Sequence, residues 1–110
     1  VLYTALAEGG VGGLPELPKG AEGVYWRCPL WTRERDALRA WLTERYVDTA
    51  TSGLLCASRE EAFSEFARDT PHAFRFIDEM LFLPIHPSMN EADMRYIASC
   101  VTGFFSARGR

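Results

Sequence analysis

The most regular apolar pattern lies near the end of the chain. Between residues 90 and 107, apolar side chains recur every three or four positions, which is typical of one face of an α-helix. Asn90 precedes this stretch and Asp93 follows three residues later, so that each side chain can cap the backbone of the other. The sequence therefore predicts a capped final helix, followed by a polar tail, Arg108–Arg110. The apolar face of this helix comprises Met94, Ile97, Ala98, Val101 and Phe105.

Two further helices are predicted in the middle of the chain. The first follows Thr32, whose hydroxyl can act as its N-cap. Its apolar face comprises Ala37, Leu38, Trp41, Leu42 and Tyr46. The second begins with Ser58 and Glu61, which form the Ser-x-x-Glu pattern of a capping box. We expect this second helix to bury Ala62, Phe63, Phe66 and Ala67.

Two shorter helices complete the helical pattern. One starts at Thr70-Pro71, because proline is well tolerated in the first helical turn, and it turns Phe74 and Ile77 inward. The other occupies Val1–Glu8, which has the pattern of the last turns of a helix. Its apolar face comprises Leu2, Ala5 and Leu6.

Three segments have the composition of β-strands. Val24–Leu30 is rich in β-branched and aromatic residues, and Pro29 indicates that its end lies at a sheet edge or strand terminus. Val47–Ser52 predicts a short extended segment. Met80–Pro84 is a continuous apolar run, as expected for a buried central strand.

An irregular connector joins the first helix to the first strand. Gly9–Gly13 breaks the helix, and Leu14–Pro18 follows with two prolines that favour extended backbone. The glycines do not have the setting of a phosphate cradle, because they follow a helix rather than a strand. We expect the leucines of this connector to be buried.

The order of these elements predicts the fold class. Strands alternating with helices indicate an α/β (α+β) fold with a small three- to four-stranded sheet and helices packed mainly on one face. The length of 110 residues is typical of a single domain, 1–110. Residues 1–22 would form the helix end and connector, and residues 23–106 the core of sheet and helices.

Composition narrows the class of protein. The 47% of hydrophobic and 25% of charged residues are average for a soluble globular domain. A net charge of −3 gives no bulk attraction to nucleic acid or to anionic membranes, and no apolar run is long enough to predict a membrane span. The three cysteines have no zinc-site spacing, so we expect free thiols in the cytoplasm, without a metal ion.

Few residues are candidates for chemistry. The sequence contains no nucleophile elbow and no nucleotide-binding motif, so no catalytic residue is assigned. His86 is the candidate for a substrate cleft, because it ends the buried strand and such turns often line clefts. A purely structural histidine at a strand-to-helix turn is the alternative. His72, near the start of a helix, is expected to be exposed.

Several segments resemble the DegT-type sugar aminotransferases, of the aspartate-aminotransferase fold superfamily. Leu83–Asp93 is similar to the closing "LPxHPxMTxxD" segment of the family, with Asn90 in place of Thr or Ser. The strand Val24–Leu30 with the following Arg-Asp-Ala-Leu is similar to the "YxxxV…xRDxLxxxL" passage. Arg45–Thr49 corresponds to "ERGIxT", with Tyr46 in place of the usual glycine. The resemblance extends over essentially the whole chain.

This resemblance implies the small C-terminal domain of a fold-type I pyridoxal-phosphate enzyme. In the family, the lysine that binds the cofactor comes from a large domain. Lys19, the single lysine here, lies in the connector, so the chain alone is expected to bind no cofactor. The family also carries an aromatic residue and a histidine after the "ERGIxT" strand, where this chain has residues 52–56 with Leu54 and Leu55.

Two functions remain open at this point. The chain is either the small domain of a sugar aminotransferase, inactive alone, or a non-enzymatic binding or assembly module with the same fold. With a large domain, pyridoxal phosphate and a nucleotide-linked keto-sugar would be cofactor and substrate, and the chain would cover the cleft and support a dimer. Leu54 and Leu55 favour the second function. In either case the partner is a missing large domain or a second copy, and an isolated domain should self-associate.

Overall fold

Two strands and four α-helices make up the regular structure of the residues described by this computed structural model, 1–51 and 53–109. Two short 3₁₀ helices, Ala57–Arg59 and Glu61–Phe66, lie between the second and third α-helices. Ser52, the last residue of the predicted extended segment, and Arg110, the last residue of the predicted polar tail, lie outside the described residues. The α-helices and strands, in chain order, are α1 Leu2–Glu8, β1 Cys28–Trp31, α2 Arg35–Thr43, α3 Pro71–Glu79, β2 Met80–Leu83 and α4 Glu91–Ala107.

The two strands pair in antiparallel fashion, and their register divides the sheet into two faces. Cys28 lies opposite Leu83, and Leu30 lies opposite Leu81, so these four side chains share one face. We call this the helix face, because α1, α2 and α4 cover it. The other side, the second face, carries the side chains of Pro29, Trp31, Met80 and Phe82.

The predicted three- to four-stranded sheet is not confirmed, because each outer edge carries only isolated backbone pairing. On the β2 side, Ala50 and Phe82 exchange hydrogen bonds, with N···O distances of 3.1 and 2.7 Å. On the β1 side, the N–H of Trp31 donates to the carbonyl oxygen of Gly13 at 2.9 Å. Gly13 has a φ of +70°, and a Cβ there would collide with the Trp31 carbonyl oxygen. Only glycine therefore lets the connector approach this edge.

The core fills the space between the helix face and α1, α2 and α4. Leu6, Leu38, Val101 and Phe104 are fully buried there together with Leu30 of the sheet. Burying such a side chain contributes about 1.5–3 kcal/mol each, so this layer supplies most of the hydrophobic stabilisation. The predicted buried strand, Met80–Leu83, is confirmed over all four residues.

The capped final helix is also confirmed. The N–H of Asp93 donates to Asn90 Oδ1 at 2.9 Å, and the N–H of Asn90 donates to Asp93 Oδ2 at 3.0 Å. The apolar face is wider than predicted, because Cys100 and Phe104 are buried beside it. Phe105 is half-buried. The capping box and the apolar repeat therefore define the same helix, α4.

The first strand is shorter than Val24–Leu30. Val24 is 94% exposed and Trp26 is 72% exposed, and the ladder begins only at Cys28. β2 ends at Leu83, opposite Cys28, so the segment before Cys28 has no strand beside it.

Tyr46 does not belong to the apolar face of α2. The helix ends at Thr43, and Tyr46 is 98% exposed with a φ of +60°. This left-handed conformation favours glycine, the residue that the family pattern has at this position. Thr32 was predicted to be the N-cap of α2, but the N-cap is Glu34. Thr32 Oγ1 instead accepts a hydrogen bond from the N–H of Glu34 at 3.1 Å. Leu38 and Leu42 are the buried residues of α2, whereas Ala37 is exposed.

The predicted helix after Ser58 is wrong. The structure has two 3₁₀ helices here, and the second of them is distorted at Phe63, which has a φ of −115°. Ser58 Oγ does not cap a helix but accepts a hydrogen bond from the N–H of Arg68. No element covers this segment among the described residues, and an amphipathic pattern without a core to pack against does not sustain an α-helix. The four residues predicted to be buried are all exposed: Ala62, Phe63, Phe66 and Ala67.

The burial predictions for α3 and for the connector have different outcomes. Phe74 and Ile77 of α3, predicted to face inward, are half-buried. In the connector, the predicted burial of the leucines is wrong: Leu14 is half-buried and Leu17 is exposed, because residues 14–18 run along the outside of the core. None of the helices in the described part of the chain is long and apolar enough to cross a membrane.

Candidate functional site

The second face of the sheet is less covered than the helix face, because Met80 and Phe82 are buried there but Pro29 and Trp31 are only half-buried. α3 covers one part of it, where the ring of Phe76 packs against Trp31 with centroids 4.9 Å apart. Two surface depressions lie nearby, one lined by Phe82 of this face and the other lying between residues 54–56 and α3.

The first depression, which we call the Trp26 groove, has a volume of about 260 Å³. Three segments line it: residues 26–27 before β1, residues 48–50 beside the sheet, and residues 82–85 at the end of β2. The pairing of Ala50 with Phe82 brings the last two segments together. The groove is thus a direct consequence of the sheet edge.

Arg27 lies between two aromatic rings in this groove. Its Cζ atom is 4.5 Å from the ring centroid of Trp26 and 4.7 Å from that of Phe82. Such cation–π contacts hold the guanidinium and orient the exposed indole. Gly53 packs against the same guanidinium, since a Cβ there would lie 2.6 Å from both Nη1 and Nη2. Arg27 therefore ties the start of β1 to the segment that follows Thr51.

Thr49 contributes a buried hydroxyl to the wall of the groove. The residue is 8% exposed, and its Oγ1 has no hydrogen-bond partner among the described residues. An unpartnered buried hydroxyl is unfavourable by about 1–3 kcal/mol. The neighbouring Asp48 is exposed and adds a carboxylate to the same wall.

His86, the candidate cleft residue, lies just beyond the groove. It is exposed, its Nδ1 is 2.7 Å from Ser88 Oγ, and its carbonyl oxygen accepts from the N–H of Met89. The groove wall ends one residue earlier, at Ile85. A contact of His86 with substrate stays a prediction.

The sequence reasoning missed Trp26, Arg27 and Thr49. The adjacent Trp-Arg pair was assigned to a strand, where its two side chains would point to opposite faces. Thr49 gave no local signal, because its hydroxyl becomes buried only through the pairing of Ala50 with β2. Tertiary pairing, not local sequence, assembles this groove.

The second depression, which we call the Leu55 groove, has a volume of about 490 Å³. Leu54, Leu55 and Cys56 form one side, and α3 forms the other with Phe76 and His72. Leu55 is 77% exposed, and His72 is exposed as predicted. The groove therefore presents apolar side chains where the family pattern places an aromatic residue and a histidine.

An ion pair fastens the exposed 3₁₀ segment beside this groove. Both Nη atoms of Arg59 donate to the carboxylate of Asp78, at 2.6 and 2.9 Å. Its guanidinium also lies 4.4 Å from the ring centroid of Phe74. Hydrogen bonds from Arg59 hold the pKa of Asp78 below its ordinary value. The segment is thus attached to α3 through charge rather than through buried apolar surface.

The remaining candidate groups have structural surroundings. Burial raises the pKa of the Cys28 thiol, and it also raises the pKa of Tyr3, whose hydroxyl donates to the Pro29 carbonyl oxygen at 2.9 Å. Lys19 is exposed on a turn of the connector and contacts neither groove. Within the described ranges, no three His, Cys, Asp or Glu side chains converge as a metal site would require.

Comparison with known proteins agrees with the family resemblance of the sequence. The model of the DegT/DnrJ/EryC1/StrS aminotransferase family matches residues 1–102. A pleiotropic regulatory protein of Geobacillus stearothermophilus is 28% identical over 109 residues, which cover 94% of this chain and 29% of that protein.

Solved structures agree with this match. DesV of S. venezuelae, solved in complex with a ketimine intermediate, is 25% identical with a TM-score of 0.81, over 94% of this chain and 30% of its own. A DegT DnrJ EryC1 StrS aminotransferase from Brucella abortus has 24% identity and a TM-score of 0.80, over 94% and 28% of the two chains. The aminotransferase TlmJ from Streptoalloteichus hindustanus has 24% identity and a TM-score of 0.80, over 99% and 31%.

The chain therefore spans less than a third of the length of the relatives that it matches. Within that span, the match covers nearly all of its residues, and the likeness in fold extends over both the helix layer and the sheet. On this evidence the chain belongs to the DegT/DnrJ/EryC1/StrS aminotransferase family.

Proposed function

We propose that this chain is the C-terminal small domain of a pyridoxal-phosphate-dependent sugar aminotransferase. The observation that carries the proposal is the partial match: nearly the whole chain aligns, but with only 28–31% of each relative. Residues 1–110 would form a single domain, in which residues 1–22 supply a helix end and connector that packs Leu6 against the sheet and helices of residues 23–106. The whole protein would transfer an amino group to a nucleotide-linked keto-sugar.

The residues of this chain do not fit a pyridoxal-phosphate site. When bound, this cofactor supplies an electron sink and needs a lysine that forms a Schiff base. Lys19 is the single lysine of the sequence, and it lies exposed on a connector turn away from both grooves. The proposal therefore assigns the cofactor to a large domain and no catalytic residue to this chain.

The part played by this chain is to close one side of a cleft. The Trp26 groove opens beside Phe82 of the second face, and the Leu55 groove lies between residues 54–56 and α3, whereas three helices close the helix face. Covering a cleft excludes water, which strengthens the electrostatic interactions inside it. In this proposal the second face meets the large domain or a second subunit, and His86 lies at the edge of the cleft.

Absorbance spectroscopy tests the assignment of the cofactor. The purified chain is titrated with pyridoxal phosphate and scanned at roughly 400–430 nm, where an internal aldimine absorbs. We expect no saturable band, whereas a whole DegT-type aminotransferase treated in the same way gives one. A saturable band that disappears in Lys19→Ala and persists in a Glu16→Ala control would contradict the proposal.

A non-enzymatic binding or assembly module is the second candidate function. The Leu55 groove favours it, because exposed leucines occupy the positions where the family pattern has polar contacts to substrate. The regulatory name of the Geobacillus stearothermophilus relative points in the same direction. The upstream reading frame distinguishes the two functions: a large domain with a Schiff-base lysine supports the enzyme, and its absence supports the module.

The proposal includes the cellular compartment in which the protein is found. The three cysteines are free thiols, and two of them, Cys28 and Cys100, are buried. Free buried thiols fit a reducing compartment, and we therefore assign the protein to the cytoplasm. Fractionation of the producing cells tests this assignment, and recovery of the protein in the membrane or extracellular fraction would contradict it.

A further inference from the structure

We propose that the Trp26 groove binds the sugar ring of the substrate. This inference rests on the proposed function and adds to it, because it assigns residues to one part of the substrate. The groove lies on the second face and is formed by Trp26, Asp48 and Thr49 around the ring of Phe82. It does not include His86, the candidate from the sequence.

The size of the groove indicates a ligand with one ring. Pockets for drug-sized molecules measure roughly 300–1,000 Å³, and this groove has about 260 Å³. It is open along one side, so a larger molecule can place a single ring in it and extend outward. A nucleotide-linked sugar has this form, with the sugar at one end.

Trp26 gives the groove an aromatic wall. The indole is 72% exposed, and the guanidinium of Arg27 lies against it at 4.5 Å. A large aromatic residue left open to solvent, yet held by a neighbouring contact, is a ready surface for stacking. The C–H face of a pyranose ring is apolar and can stack on such a surface.

Thr49 and Asp48 give the same groove its polar partners. The Thr49 hydroxyl can donate one hydrogen bond and accept others, and it has no partner in the described part of the chain. The Asp48 carboxylate accepts hydrogen bonds. Sugar hydroxyls donate and accept, so they can satisfy both groups. A few fixed polar groups on an apolar floor are the usual composition of a small-molecule site.

Other ligand classes fit less well. An apolar ligand would leave the Thr49 hydroxyl unsatisfied, at the cost of a lost hydrogen bond. A phosphate group would be attracted to the Arg27 guanidinium, but that cation is already engaged between the rings of Trp26 and Phe82. The phosphate would also lie beside the Asp48 carboxylate. A neutral ring with several hydroxyls meets neither difficulty.

The three tryptophans of the chain provide the assay. Each indole N–H gives its own resonance in a ¹⁵N-labelled sample, and only Trp26 lines the groove. Trp41 serves as an internal control, because its Nε1 donates to the Cys100 carbonyl oxygen inside the core at 2.9 Å. The chain is titrated separately with glucose, with UDP and with UDP-glucose. We expect saturable shifts of the Trp26 resonance with glucose and UDP-glucose, but not with UDP.

Two variants and one control test the assignment. Trp26→Ala should abolish saturable binding detected by calorimetry. Thr49→Val keeps the shape of the side chain and should weaken binding by about two- to tenfold without lowering the melting temperature. Phe66→Ala removes another exposed aromatic ring, outside the groove, and should bind like the unmodified chain.

Three results would overturn the inference. A shift caused by UDP alone would indicate a nucleotide or phosphate site. No shift of Trp26 at the highest soluble glucose concentration would exclude a sugar-ring site in this chain. Unchanged affinity in Thr49→Val would remove the role of the hydroxyl. None of these results affects the proposed function, which the pyridoxal-phosphate titration and the upstream reading frame test separately.

Discussion

The two faces of one small sheet differ in how they are completed. The helix face is closed by α1, α2 and α4, and its side chains are fully buried. The second face has partial cover from α3, and Trp26, which lines the groove beside Phe82 of this face, is 72% exposed. The chain therefore completes its helix layer but leaves open a surface that a larger protein can cover. We expect substitutions on the helix face to change stability, and substitutions at the open surface to change the proposed function.

The largest expected loss of stability comes from removing an aromatic ring from the core that covers the helix face. Phe104 is fully buried, with its ring 5.9 Å from Trp41 and 5.1 Å from Phe105. Phe104→Ala should lower the free energy of unfolding by about 3–5 kcal/mol, because it leaves a cavity. The matched change Phe66→Ala, at a ring that is 65% exposed, should have almost no effect. Urea denaturation measures both, and equal losses would show that the 3₁₀ helix containing Phe66 is packed as tightly as the core beneath the helix face.

A smaller effect is expected at the outer edge of β1. Gly13→Ala would force a Cβ against the Trp31 carbonyl oxygen at a φ of +70°, so we expect a loss of about 2 kcal/mol or more in urea denaturation. Gly12→Ala is the control, because a Cβ at position 12 would meet no atom within 4 Å. Similar stability of the two variants would mean that the connector does not support the sheet edge.

The smallest effect concerns association through the open face. Self-association of the isolated chain should bury Leu55, so Leu55→Ser should weaken it by about tenfold in sedimentation experiments. Leu17→Ser changes an exposed leucine of the connector and should leave association unchanged. A strictly monomeric chain at high concentration, or equal weakening by both variants, would contradict the docking role of the second face.

Local signals determined which parts of the fold could be predicted. The Asn90–Asp93 cap and the apolar repeat of α4 lie within one segment, and β2 is a single apolar run, so both were predicted correctly. Phe63 and Phe66 have the same spacing as core residues, yet they are 51% and 65% exposed. Spacing shows which side chains share a face, but it does not show whether another element covers that face.

The candidate site could be predicted only in part for a similar reason. His86 was found because it ends a recognisable strand. Trp26, Arg27 and Thr49 come from two separate segments, and only the strand register and the bridge from Ala50 to Phe82 bring them together. A single sequence contains no local pattern for such a contact. The family resemblance supplied the fold and matched Thr49 and Pro84 of this groove, but it gave no sign that they share a surface with Trp26.

The contact between Gly53 and Arg27 restricts how this surface can evolve. A side chain at position 53 would displace the guanidinium, and with it the support of the Trp26 indole. A shorter residue at position 27 would relieve that collision, but the φ of +104° at position 53 would still favour glycine, and the indole would lose its support. We therefore expect glycine at 53 among relatives that carry arginine at 27 and an aromatic residue at 26. These three residues together would indicate a similar groove in a relative whose structure is unknown.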